Sequence, residues 1–161
     1  MRGAAVAAGL LLAVLAFALA FLPRHIALVS GAIAALAALG ASTFHAVQVE
    51  IAFAGCWASL VATAACVYWP RIARPERMAG PVLGANAGLW AGLVVATEAT
   101  GLTMLAVLPV MVLMLPAAWC DRRGWGVAPR VVTSWLLAVA LLVGAIPHLV
   151  IHPGYEPDHR L

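Results

Sequence analysis

Six long apolar runs follow one another along this chain, with few polar residues between them. A helix needs about 20 apolar residues to cross the ~30 Å hydrocarbon core of a bilayer. The segment from residue 26 to residue 69 is 44 residues long, too long for one crossing, so we divide it into two spans. The sequence predicts an all-α integral membrane protein, a single six-helix transmembrane bundle followed by a short polar tail. The predicted spans are about 4–22, 26–44, 47–69, 81–98, 101–119 and 131–151, and the tail is 152–161.

The composition excludes the main soluble classes. Only 9% of the residues are charged and 65% are hydrophobic, whereas a soluble domain carries about 25% charged residues. A chain with so few polar groups cannot cover the surface of a water-soluble globule. Nucleic-acid binding and intrinsic disorder are excluded for the same reason, because both need a polar and charged chain. The lipid bilayer is therefore the first partner we expect.

The arginines predict the orientation of the spans. All nine basic residues are arginine, and seven of them lie in the predicted loops at 23–25, 70–80 and 120–130. By the positive-inside rule these loops are cytoplasmic, which places both termini on the non-cytoplasmic side. Arginine without lysine, together with much alanine, valine and glycine, is typical of a GC-rich bacterial genome, so we expect the bacterial inner membrane. Aromatic residues gather near the same boundary, as membrane-interface residues do: Tyr68, Trp69, Trp119, Trp125 and Trp135.

The first apolar run has an alternative interpretation as a secretory signal. It ends in Ala18-Leu19-Ala20, which resembles a signal-peptidase site. However, its 19 apolar residues exceed the 7–15 of a usual signal core. Cleavage would also place most of the arginines on the opposite side of the membrane. We therefore expect this run to be a span.

The fourth span carries glycines at strict four-residue spacing: Gly80, Gly84, Gly88 and Gly92. Residues four apart lie on one helix face, and close backbone approach over small residues is a main source of helix association in lipid. The pattern predicts tight packing against another helix of this chain, a second copy or a protein partner. We expect Gly88→Leu to be disruptive and Gly88→Ala to be much milder than Gly88→Leu. Asn86, on the same span, is interpreted as an interhelical hydrogen-bond donor rather than a catalytic group.

Two prolines interrupt the fifth span. Pro109 and Pro116 each remove one backbone hydrogen bond. We therefore expect a bend in this helix.

A group of ionisable residues gathers at the span ends away from the arginines: His45, Glu50, Glu98, His148 and His152. Imidazole and carboxylate groups together suit Zn, Fe or Cu, and histidine also relays protons near neutral pH. These residues can form one outward-facing metal or proton site, in which Glu50 and His148 lie deepest. Each also lies within about two turns of a span end, where charged groups reach water at little cost, and this favours ordinary interfacial residues.

The sequence contains no catalytic motif that would name an activity. It has no GxSxG, HExxH, P-loop or GxGxxG pattern. The first hypothesis is therefore a non-enzymatic accessory or assembly subunit of a larger membrane complex, with a partner or a second copy held through the fourth span. The alternative is a small transporter, or a protein that handles metal ions or protons, using the outward-facing histidines and glutamates. An enzyme acting on lipid or quinone would need the same residues and is the third hypothesis.

Overall fold

The computed structural model describes residues 3–44, 47–68, 79–98 and 101–145. Within these residues the regular structure is entirely helical, and six helices are long and apolar enough to cross a membrane. The predicted all-helical class with six spans is confirmed to this extent. The helices are α1 (Gly3–Ala20), α2 (Arg24–Ala41), α3 (Val49–Tyr68), α4 (Ala79–Glu98), α5 in three consecutive pieces (Gly101–Val107, Leu108–Leu113 and Met114–Arg122) and α6 (Val127–Ala145).

The sixth helix begins earlier than the predicted span. α6 begins at Val127, four residues before the predicted span at 131. The last part of that predicted span and the tail 152–161 lie outside the described residues, as do residues 69–78 with three of the seven arginines.

Helix α1 lies at the centre of the bundle. Around it the other helices follow in the order α2, α4, α3, α6 and α5. In α1, 67% of the residues are buried, against 17% of the span residues in α5 and in α6. No residue of α1 is charged, and its alanine and leucine side chains are apolar on every side. A helix that is hydrophobic all round is suited to full enclosure, whereas the outer helices keep one face toward the surroundings.

Helix α5 changes its geometry at the first of its two prolines. The α-helix ends at Val107, a 3₁₀ segment covers Leu108–Leu113, and the α-helix resumes at Met114. Pro109 lacks an N–H group, and its ring would clash with the carbonyl four residues earlier in a regular α-helix. Pro116 lies in the first turn of the last piece, where a missing N–H costs least.

A left-handed glycine ends α5 and directs the chain into α6. Gly124 has φ +79°, a conformation that L side chains adopt only with strain. Its N–H donates to the Asp121 carbonyl at 3.0 Å, and the Trp125 N–H donates to the Cys120 carbonyl at 2.9 Å. This is the Schellman arrangement, which satisfies carbonyls that the end of the helix would leave unpaired. It brings the end of α5 beside the start of α6.

Candidate functional site

The predicted metal or proton site is described only in part. Glu50 lies in the first turn of α3 and is exposed, and Glu98 is the last residue of α4. His45, His148 and His152 lie outside the described residues. In the part of the chain that the structure describes, no group of three or more His, Cys, Asp or Glu residues is placed to hold a metal ion. The site therefore stays a prediction.

The glycines of α4 lie against the backbone of α2. A Cβ atom built on three of these glycines would meet the carbonyl oxygen of a small residue on α2. The pairs are Gly84 with Ser30, Gly88 with Ala34 and Gly92 with Ala38. Both helices advance by four residues in the same direction, so they run parallel with a constant register. We call this contact the α2–α4 seam.

Gly80, the first glycine of the row, completes the α2–α4 seam at the end of the bundle where α2 begins with Arg24. We call this end of the bundle the arginine end. A Cβ atom on Gly80 would lie 2.7 Å from Ser30 Oγ and 2.8 Å from a methyl carbon of Leu22. All four glycines are buried. The glycine face of the fourth span is thus covered by a helix of the same chain.

The seam leaves no room for a methyl group at its centre. A Cβ atom on Gly88 would overlap the carbonyl oxygen of Ala34 and lie 2.9 Å from its carbonyl carbon and from its Cα. These are backbone atoms, which cannot rotate away as the end of a side chain can. Alanine at this position therefore already requires the two helices to separate, and the milder effect of Gly88→Ala relative to Gly88→Leu stays a prediction.

A partly buried hydrogen bond joins α4 to α3 on another side of α4. The Asn86 side-chain amide donates to Ser59 Oγ at 2.7 Å, which confirms the predicted interhelical role of Asn86. Ser59 is 4% exposed, and its carbonyl accepts a hydrogen bond from Thr63 Oγ1 at 2.7 Å. The hydroxyl of Ser59 is thereby engaged in the packing of α3 against α4.

A second close approach, between α3 and α4, was not predicted from the sequence. The indole ring of Trp90 lies directly over Gly55, and a Cβ atom on Gly55 would be 2.5 Å from Trp90 Cδ2. Gly55 stands alone on its span, with no repeated spacing to mark it. The pairs Gly55–Trp90 and Ser59–Asn86 also show that α3 and α4 are antiparallel, so Glu50 and Glu98 lie at the same end of the bundle.

Arginine and aromatic side chains meet at the opposite end. The Arg123 guanidinium carbon lies 4.4 Å from the centre of the Trp119 ring, which forms a cation–π contact. Trp119 and Trp125 pack edge to face, with ring centres 6.4 Å apart. The Tyr68 hydroxyl donates to the Arg130 carbonyl at 2.8 Å and joins the end of α3 to the start of α6. The Tyr68 contact joins two helices, and the other two contacts lie at the end of α5, at the level where the positive charge is concentrated.

An open furrow lies between α2 and α5 on the outside of the bundle. Two adjoining cavities form it, of about 400 Å³ and about 320 Å³, and they share Leu28, Met114 and Leu115. The larger cavity reaches the arginine end, where Arg24 and Arg122 line it. The smaller one lies deeper and has apolar walls, including Gly31 and Met111. We call this feature the lateral furrow, and no pattern in the sequence predicted it.

Comparison with protein-family models, with curated proteins and with solved structures finds no significant match.

Proposed function

We propose that this protein is a non-enzymatic accessory or assembly subunit of a larger complex in the bacterial inner membrane. The observation that carries the proposal is the position of the charged residues along the helices. In the described residues, every charged residue lies within about one turn of a helix end, and none lies in the middle of the bundle. These residues are Arg24, Glu50, Glu98, Asp121, Arg122, Arg123 and Arg130.

The polar groups inside the described bundle already have partners. Hydroxyl groups of Ser30, Thr63 and Thr133 donate to carbonyls of their own helices at 2.7, 2.7 and 2.8 Å. Among the described residues, every buried side-chain nitrogen and oxygen atom has a hydrogen-bond partner. Transport of ions or protons uses ionisable or unpaired polar groups along the pathway. The centre of this bundle is instead filled by α1, which supports a packing role over transport.

The outer faces of α5 and α6 are the surfaces we propose for the partner. Both helices are largely unburied by the rest of the chain. Trp135 is 75% exposed, and it lies on α6 with Val131 and Leu142, which are 57% and 63% exposed. The glycine face of α4 does not need a second protein, because α2 covers it. A partner would therefore bind the side of the bundle formed by α5 and α6.

Purification in a mild detergent tests the proposal, with the native mass as the readout. We expect a complex of fixed stoichiometry that survives the change Leu36→Ala and is lost on Trp135→Ala with Leu142→Ala. Leu36 is a matched control because it is 70% exposed on α2. The chain is extracted from its native membranes under the same conditions for this test. If it then purifies alone at its monomer mass, the subunit proposal is contradicted.

The orientation is part of the same proposal and has its own test. We propose that the arginine end faces the cytoplasm and that both termini face outward. In a variant without the three native cysteines, a cysteine at Arg74 or Trp125 should be labelled only from the cytoplasm. A cysteine at Thr100 or Glu156 should be labelled only from outside. Labelling of the Arg74 position from outside would reverse the orientation.

A further inference from the structure

The lateral furrow has the length of one leaflet of a bilayer. On α2 it extends from Arg24 to Ala35, which is eleven residue steps along the helix. At 1.5 Å per residue this is about 16 Å, which is half of the ~30 Å hydrocarbon thickness. An occupant would therefore reach from the membrane surface to about the bilayer midplane.

The shallow end of the furrow is positively charged. Arg24 and Arg122 line it from α2 and α5, and neither forms an ion pair with an acidic side chain of the described residues. Asp121 lines the adjoining space together with both arginines, so the three groups carry one net positive charge. The N-terminus of α2 lies here too, where Pro23 provides no side-chain cap. The first N–H groups of a helix and its dipole add to the attraction for an anion.

The deep end of the furrow is apolar and open to the side. Small residues of α2, including Gly31 and Ala32, face Met111 and Val112 of the 3₁₀ segment of α5. The rim residues Leu28 and Leu115 are 61% and 62% exposed, so the furrow opens toward the surrounding lipid. The two cavities lie in the range of about 300–1,000 Å³ that is typical of ligand sites. A narrow alkyl chain fits this part, whereas a polar ligand would find almost no hydrogen-bonding group.

We propose that the lateral furrow binds one anionic phospholipid of the bilayer, with its phosphate between Arg24 and Arg122 and one acyl chain along α2 and α5. The observations require a ligand with a negative charge at one end and a chain about one leaflet long at the other. A free phosphate ion would leave the apolar part empty, and a zwitterionic lipid would leave the net positive charge uncompensated. This goes beyond the subunit proposal and does not depend on it.

Lipid retention by the full chain, measured by native mass spectrometry, tests the inference. The probes are phosphatidylglycerol and phosphatidylcholine with the same acyl chains, added at equal concentration to the purified protein. We expect one phosphatidylglycerol per chain to be retained in preference to phosphatidylcholine. Replacing Arg24 and Arg122 by glutamine should weaken this retention about tenfold or more, since each basic residue near the surface contributes to anionic lipid binding. The control Arg123→Gln with Arg130→Gln has the same net charge and should retain the lipid.

A second variant tests the apolar part and covers the case in which the arginine variant does not fold. Ala32→Phe places a ring in the furrow and should reduce retention, whereas Leu36→Phe, on an exposed part of α2, should not. Inorganic phosphate at the lipid concentration should not displace the bound lipid. The proposal would be overturned by equal retention of both lipids or by an equal loss of retention in the two arginine double variants. It would also be overturned if Ala32→Phe had no effect on retention, or if phosphate displaced the bound lipid.

Discussion

The two sides of α2 carry similar small residues but make opposite kinds of contact. On one side Ser30, Ala34 and Ala38 touch the glycines of α4, backbone against backbone. On the other side Gly31 and Ala32 line the lateral furrow, which α5 approaches through a side chain, with Met111 Cε 3.6 Å from a Cβ atom built on Gly31. Small residues on one helix are therefore not enough to close a contact. The partner helix must also present small residues in the same register.

The difference comes from the partner helices. α4 is a continuous α-helix whose glycines repeat every four residues, so the match with α2 extends over three successive turns. Carbonyl oxygens of α2 can then approach the glycine Cα atoms, a weak hydrogen-bonding contact that recurs between closely packed helices. α5 presents Leu108 and Met111, and its 3₁₀ segment changes the residue spacing. Its side chains cannot follow the period of α2, and space remains between the helices.

The largest effect is expected from a large side chain in the α2–α4 seam. Gly88→Leu should lower the free energy of unfolding by at least about 3 kcal/mol, the upper end of overpacking costs, because the clash is with backbone. Gly88→Ala should already be destabilising by at least about 1 kcal/mol. The control is Gly40→Leu, since Gly40 on α2 is exposed and a Cβ atom there meets nothing within 4 Å. Thermal unfolding in detergent measures all three, and equal stability of the Gly88 and Gly40 variants would disprove the seam.

The two sides of α2 can be compared directly with one substitution at two positions. Ala34→Leu, on the seam side and fully buried, should cost about 1–3 kcal/mol of stability. Ala32→Leu, in the furrow, should change stability by less than about 0.5 kcal/mol because its side chain has free space. The measurement is the same unfolding transition for both variants. Similar losses at the two positions would mean that the furrow is closed in the folded protein.

The end of α5 provides a test on the open side of the molecule. Gly124→Ala should destabilise by about 1–2 kcal/mol, because alanine is strained at positive φ. Gly126→Ala is the matched control two residues later, where the nearest atom to a Cβ is Asp121 Oδ1 at 3.2 Å. We expect the control to cost less, since a carboxylate oxygen can move. A Gly124 variant as stable as the control would contradict the left-handed turn.

The smallest effect is expected at the polar contact between α3 and α4. Asn86→Leu and Ser59→Ala should show a coupling of about 0.6 kcal/mol, the average for interhelical hydrogen bonds in membranes. A double-mutant cycle on unfolding measures this coupling. The control cycle pairs Asn86→Leu with Ser134→Ala, because the Ser134 hydroxyl bonds within its own helix at 2.7 Å. Additive behaviour in both cycles would show that the hydrogen bond does not stabilise the packing.

The sequence by itself determined the helical class, the six apolar spans, the helix face that allows close packing and the position where proline interrupts a regular α-helix. Those properties are local, since they depend on runs of about 20 apolar residues, on glycines every four residues and on Pro109. The interhelical role of Asn86 also followed from its residue type, because an amide in an apolar span needs a hydrogen-bond partner.

Only the tertiary structure decided which helices meet. Nothing in the glycine pattern named α2 as its partner, because four glycines present the same surface to any small-residue helix. The central position of α1, the stacking of Trp90 on Gly55 and the lateral furrow depend on contacts between residues far apart in the chain. In a chain where most side chains are apolar, hydropathy distinguishes the helices from the loops but hardly distinguishes one helix from another. The choice of neighbours is then made by the fit of small and large side chains, and that fit appears only when the helices are packed.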